Sequence, residues 1–360
     1  MRQPNLQNSR ESRRDHMYRK VTVNESMEPC FMEVEKRVLA DDEVRIKSLY
    51  GSPKHGTELT GLTESPFSKH YYDQEQHIFK QREKPIQEDI PGLGNMWVGT
   101  VVERGRNVSL FQVGERVAGY GVLAEYHQLP QKNVLKMPPT MTWQSAVCFD
   151  PLQFALGGVR DAQIRVGDRV LISGLGAIGM LAAKLARLAG ASLVAVSDPV
   201  AIRREIALKA GADLAFDPLN DDYGLILRDY TFGRGLDAVV ETSASYSALQ
   251  QGLRALAYGG TLASVGWFKN REVALHFGQE GHFNQQKIVF SRACSDPNND
   301  HPRWSFSRIK EEAWHILSQN LVSGDDIVTP VVRFSEAPAA YRDLVMGHAG
   351  HCIKLGVEFS

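Results

Sequence analysis

Between Arg169 and Asp198 the chain reads RVLISGLGAIGMLAAKLARLAGASLVAVSD. Its residue types suit one piece of chemistry, the docking of a dinucleotide pyrophosphate. Gly174, Gly176 and Gly179 make a G-x-G-x-x-G with Ala177 and Ile178 inside it. The first glycine permits a tight turn, the second lets backbone approach a phosphate, and the third lets a helix sit close on a strand. A helix starting there would aim free N–H groups and a partial positive charge at an anion. Asp198 follows Gly179 by 19 residues, where a carboxylate accepts hydrogen bonds from a ribose diol. It favours NAD over NADP, because a 2′-phosphate beside it would be repelled. Arg203 is a further coenzyme candidate, although Arg203 and Arg204 are expected on the solvent face of the next helix. A second set of titratable residues, His55, Glu58, His70, Asp73 and His77, lies between Gly51 and Gln87. Histidine can exchange a proton near neutral pH or ligate a metal.

These residues need elements to position them. Val170–Ile172 reads as a buried strand. Ile178, Leu181, Leu185 and Leu188 predict a helix with one apolar stripe, ended by Gly190, and Leu193–Val196 predicts the next strand. The alternation continues: a helix over 202–212, strands at 214–216, 236–241, 261–265 and 288–290, and a helix over 248–257. This is the pattern of an α/β fold with a doubly wound parallel sheet. Upstream, residues 18–50 and the runs GTVVERG, FQVGERVAGYG and AEYHQLP alternate as short strands of a small β-rich domain. Residues 51–87 read as a long loop, which in a compact domain is functional or mobile. Residues 141–159 turn helical, with Pro151 at a kink or a helix start. Helices over 308–321 and 337–346 and a last β segment close the chain.

At 360 residues there is room for two domains. With 43% hydrophobic and 23% charged residues the composition is that of an ordinary globular protein. A net charge of −1 gives no reason to expect nucleic acid or an anionic membrane as partner. No apolar run approaches a membrane span. Residues 1–17, polar and arginine-bearing without an apolar core, read as a flexible tail rather than a secretory signal. Cys30, Cys148, Cys294 and Cys352 are far apart; no local cluster holds a structural zinc, and isolated thiols suit the cytoplasm.

Four ordered segments, DEVRIKSLYGSPKHGTEL, GNMWVGTVVERGRNVSLFQVGERV, GDRVLISGLGAIGMLAAKLARLAGA and ALAYGGTLASVGW, resemble the medium-chain dehydrogenase/reductase superfamily of zinc-type alcohol dehydrogenase-like proteins. The likeness runs from about Val21 to the C-terminus. Asp150-Pro151-Leu152 stands where the sorbitol, polyol and threonine dehydrogenases have Glu-Pro-Leu, so that branch is nearest. The resemblance implies a GroES-like catalytic domain (18–157 and 295–360) split around a Rossmann domain (158–294), with hydride transfer between NAD(H) and a secondary alcohol or ketone. By family position Thr242, Val265 and Gly266 line the coenzyme. A homodimer or homotetramer is implied by the resemblance alone.

The family's catalytic zinc takes a cysteine from GxCGTDxH; here His55 replaces it, and Thr60 stands where a relay histidine often sits. The second motif, GHE, is matched by Gly94-Asn95-Met96, and the third ligand position by Asp150. His55 and Asp150 are two ligands where a catalytic zinc wants three, so no zinc is expected unless His70, His77 or Glu58 supplies another. Without zinc a side chain must take the hydroxyl proton, and the ordinary pKa of His55 suits that near neutral pH; the resemblance brings Asp150 to orient or charge-stabilise its ring and makes Thr57 the relay hydroxyl, while Glu58 is read as holding the turn. Asn95, Trp97, Arg292 and Trp304 are the candidate substrate contacts, fitting a sugar, cyclitol or polyol; Trp97 and Trp304 either stack on a sugar face or belong to the core, the commoner fate of a tryptophan. Two alternatives stand beside this reading. One is a zinc-independent enone or quinone reductase, against which Asp150-Pro151-Leu152 argues. The other is a nucleotide-binding protein without catalysis.

Overall fold

A computed structural model describes residues 16–62, 66–84, 92–268 and 275–359. The chain forms two compact units, residues 1–139 with 330–360 and residues 140–329. Residues 1–15 of the expected tail lie outside the described residues, while Met17, its last, already opens a strand.

In the first unit β1 (Met17–Val23) and β2 (Pro29–Glu35) form an antiparallel hairpin. The main sheet contains β3 (Glu43–Ser52), β6 (Met96–Arg104), β7 (Arg116–Tyr120), β8 (Tyr126–Pro130), β9 (Leu135–Lys136), β16 (Val328–Arg333) and β17 (Lys354–Glu358). Its order is β16-β17-β3-β6-β7-β9, with β8 also on β3. Alternation places Val44, Ile46, Val101 and Val117 inward, where they bury completely with Trp97. The segment expected as a loop is instead structured. It holds the helix His55–Leu62, a short helical turn and a hairpin of β4 (His70–Asp73) and β5 (Ile78–Gln81). The hairpin lacks a glycine turn. Asp73 Oδ1 accepts from the amides of Glu75 and Gln76 at 3.0 and 2.9 Å, Lys80 pairs with Asp73, and His77 takes the left-handed conformation at φ 52°.

In the second unit β10 (Arg169–Ser173), β11 (Leu193–Ser197), β12 (Leu214–Phe216), β13 (Leu236–Glu241), β14 (Leu256–Ser264) and β15 (Lys287–Phe290) build a parallel sheet in the order β12-β11-β10-β13-β14-β15. The order reverses between β10 and β13, the switch point beside which doubly wound folds bind ligands. The helix Ala177–Leu188 buries Gly179, Met180, Leu181, Ala182, Leu185 and Ala186, a face rotated from the expected stripe; Leu188 is exposed. The sequence drew domain boundaries at 157/158 and 294/295. The second unit instead includes the helices Phe149–Asp161 and Phe306–Ser318, which pack on one another, with Phe149 edge-on to Trp314.

Candidate functional site

Three strand ends converge on the glycine turn of the second unit. Gly174 leaves β10 at φ 86°. A Cβ on Gly179 would stand 1.8 Å from the Gly174 carbonyl oxygen, so only glycine fits there. Gly176 caps the Ala177–Leu188 helix without a side-chain hydrogen bond, and a Cβ there would meet nothing within 4 Å. Open space thus lies over a helix N-terminus whose first amides have no intrahelical acceptor. That is a cradle for an anionic group, and the residues fit a dinucleotide phosphate.

Side chains around the cradle support the backbone more than they line a ligand. Thr242, expected to line the coenzyme, turns its hydroxyl back to donate to the carbonyls of Ser173 and Gly174, at 3.0 and 2.9 Å. The amides of Val265 and Gly266 donate to the Glu241 carbonyl at 2.8 and 3.0 Å. The Glu241 carboxylate accepts from the Ser243 amide and hydroxyl, and burial pushes its pKa up to about 7. Asp198 is 4% exposed; its carboxylate accepts from Leu175 N at 2.7 Å and Val200 N at 2.8 Å. It therefore ties the glycine turn to β11 while Arg203 stands 3.8 Å from it. Arg204 is not on the solvent face. It donates to the Asp198 carbonyl at 2.7 Å and pairs with Asp217 at 3.3 Å.

In the first unit the His55–Leu62 helix follows β3. His55 Nε2 accepts from Leu355 N on β17 at 3.0 Å. With that nitrogen accepting, Nδ1 carries the proton, and taking a substrate proton at Nε2 requires release of the Leu355 amide. Glu58 accepts from the amides of Lys54 (2.9 Å) and Gly94 (3.2 Å) and from the Tyr341 hydroxyl (2.9 Å). Burial raises its pKa against these bonds. Asn95 donates its amide to Ser52 O at 3.1 Å, and its side-chain Nδ2 is buried with no acceptor among the described residues. The side chain of Thr57 lies outside the described residues. Asp150 is buried in the first turn of its helix in the other unit.

Trp97 corrects the substrate list. It is fully buried, donates Nε1 to Tyr120 O at 3.0 Å and stacks on His127 at 4.5 Å, leaving no face for a sugar. Trp304 is occupied by two guanidiniums, Arg160 at 3.6 Å and Arg308 at 4.3 Å from its ring centre. Arg292 donates to Ser295 Oγ at 3.2 Å. Both border a small cavity of about 10 Å³. The bridging reach of Glu58 and its Tyr341 partner, 283 residues apart, had no local signal in the sequence.

Among the described residues no three His, Cys, Asp or Glu side chains gather as a metal site. With Asn95-Met96 in the second motif and His55 Nε2 on a backbone amide, the donors present do not fit the zinc that the resemblance implies. Among the described residues no helix is long and apolar enough to cross a membrane.

Comparison with known proteins agrees with this architecture. Residues 59–139 match the family described as alcohol dehydrogenase GroES-like domain, and residues 177–305 match zinc-binding dehydrogenase. The chain is 43% identical over 338 residues to D-guloside 3-dehydrogenase of Escherichia coli K12, covering 92% of this chain and 97% of that protein. The fold is shared with 2R,3R-butanediol dehydrogenase of Bacillus subtilis (TM-score 0.74, 19% identity, 95% and 99% coverage). It is shared too with an NADP-bound putative zinc-binding dehydrogenase of Sinorhizobium meliloti 1021 (TM-score 0.73, 21% identity, 95% and 99% coverage). The chain belongs to the medium-chain dehydrogenase/reductase superfamily. It is a dehydrogenase that uses a nicotinamide coenzyme.

Proposed function

We propose that the protein oxidises a secondary alcohol of a sugar or glycoside reversibly, with NAD in preference to NADP. The observation that carries this is the 43% identity, over almost the whole of both chains, to a D-guloside 3-dehydrogenase. A bound nicotinamide supplies the hydride acceptor. The chain binds and orients: the amides after Gly176 hold phosphate, and the Asp198 carboxylate disfavours a 2′-phosphate. His55 takes the hydroxyl proton at Nε2 once the Leu355 amide is released, and Thr57 serves as relay hydroxyl; Asp150 stays a proposed catalytic residue by its motif position. The buried Nδ2 of Asn95 supports a role in donating to a substrate oxygen. Arg292 and Trp304 remain proposed contacts, conditional on Trp304 shedding a guanidinium. Four cysteines outside any disulfide suit the cytoplasm, and we place the protein there as a homodimer or homotetramer.

Turnover of NAD and of NADP, followed by nicotinamide absorbance, against gulosides, other glycosides, polyols and enones tests this. Oxidation of a glycoside with NAD is expected. Activity confined to enones or quinones would replace the reading with the reductase alternative, and tight coenzyme binding without any turnover would replace it with a non-catalytic one.

A further inference from the structure

We propose that Glu58 is a positioning residue for the reaction, clamping the turn that presents His55 to the segment that presents Asn95. The proposal rests on the reading of His55 as the proton-handling group.

Glu58 lies one turn after His55 on the same helix. A single oxygen, Oε1, accepts from Lys54 N, immediately before His55, and from Gly94 N, immediately before Asn95. Those donors are 40 residues apart in sequence. One carboxylate oxygen therefore sets the spacing of the two backbones. The other oxygen is fixed by the hydroxyl of Tyr341, which is fully buried among apolar neighbours and so anchored by packing. The arrangement is closed from the β17 side. Lys354, buried, donates Nζ to Pro53 O at 2.9 Å, and its charge acts favourably on Glu58. Leu355 on the same strand donates to His55 and returns its carbonyl to Ser52 Oγ at 2.7 Å. Asn95 closes the circuit through its amide bond to Ser52 O.

A partly desolvated carboxylate is costly unless its oxygens are hydrogen-bonded. Here the acceptors are filled by groups from three chain segments, two of which carry candidate reacting side chains. A misplacement of about 1 Å between reacting groups costs about a hundredfold in rate. Ordinary turn closure would need only the Lys54 bond; the Gly94 and Tyr341 bonds fix His55 relative to Asn95.

The test compares Glu58→Ala with Glu58→Gln, whose remaining carbonyl oxygen still reaches both amides. For E58A we expect kcat to fall about 30- to 100-fold with coenzyme affinity unchanged. The primary isotope effect with substrate deuterated at the reacting carbon should rise, as chemistry becomes limiting. E58Q should recover to within about threefold of wild type. An unchanged isotope effect with a lower active fraction would show a merely structural carboxylate and overturn the proposal. If E58A does not fold, Glu58→Asp, too short to hold both amides, should lose about tenfold in kcat; full activity would overturn it equally. Nitrogen-15 spectra of the histidine rings give a readout without turnover. In wild type His55 should show an accepting Nε2 and a protonated Nδ1, and in E58A an average of the two tautomers. Unchanged His55 resonances overturn the clamp. Disturbed resonances in a protein that oxidises no sugar would leave it standing and reject only the substrate assignment.

Discussion

The glycine turn of the second unit and the His55 turn of the first position ligands by opposite means. The glycine turn works with backbone: bare Cα atoms and a helix terminus whose first amides have no intrahelical acceptor, with Thr242 and Asp198 bracing the main chain from behind. The His55 turn works with side chains. Glu58, Tyr341, Ser52 and Lys354 knit together segments distant in sequence, and His55 itself is held by a neighbouring strand. A backbone device depends on a few glycines and fails all at once. A side-chain network depends on many partners and degrades by degrees.

The contrast is broken hardest by Gly179→Ala. Its Cβ would collide with the Gly174 carbonyl at 1.8 Å, so the turn cannot close. We expect loss of soluble, folded protein together with coenzyme binding; a stable variant with normal coenzyme affinity would show that the turn has another conformation. His55→Ala comes next. Removal of a general base costs about 10²- to 10⁴-fold in turnover, and coenzyme affinity should not change. Equal loss of both, read by steady-state kinetics and calorimetry, would mean that the ring only shapes the turn.

Two buried groups, one in each unit, should also contribute to stability with opposite pH dependence. His127 in the first unit is buried, and desolvation lowers its pKa from 6.5 to about 3. The unfolded chain then binds the extra proton, so stability falls as pH drops from 6.5 towards 3, by at most about 5 kcal/mol. Glu241 in the second unit has its pKa raised from 4.5 to about 7. The folded chain holds the extra proton, so its contribution is full below pH 4.5 and is lost as pH rises through 7, by at most about 3 kcal/mol. Hydrogen exchange resolved by unit at pH 5 and pH 7.5 checks this. An unaltered slope in either His127→Gln or Glu241→Gln would refute it. The smallest effect sharpens the contrast most. Gly176→Ala adds a methyl into open space at φ −71°, so folding should be normal while coenzyme affinity drops about tenfold, roughly 1.4 kcal/mol. Unchanged affinity would mean that the phosphate does not approach this Cα.

How legible each region was in the sequence follows from the same difference. The glycine spacing and the β–turn–helix–β pattern are local, so spacing along the chain is enough to name the residues of the turn. The hairpin within residues 66–82 was not legible, because its turn is closed by Asp73 and a left-handed His77 rather than by Asn-Gly or Gly. Whether Trp97 stacks on a sugar or lies in the core was left open by the sequence, because sequence order does not say which face of β6 meets His127 and Tyr120. The apolar stripe on the helix after Gly176 was rotated because Gly179, with no side chain, is what faces the sheet.

By itself the sequence determined the strand–helix alternation, the glycine turn and the type of residue at each motif position, since these depend on local spacing and on backbone sterics. Only the tertiary structure decided what the polar side chains do. Asp198 braces a turn, Thr242 faces inward, and Glu58 joins three segments, because hydrogen-bond partners are chosen by proximity in the folded core rather than along the chain.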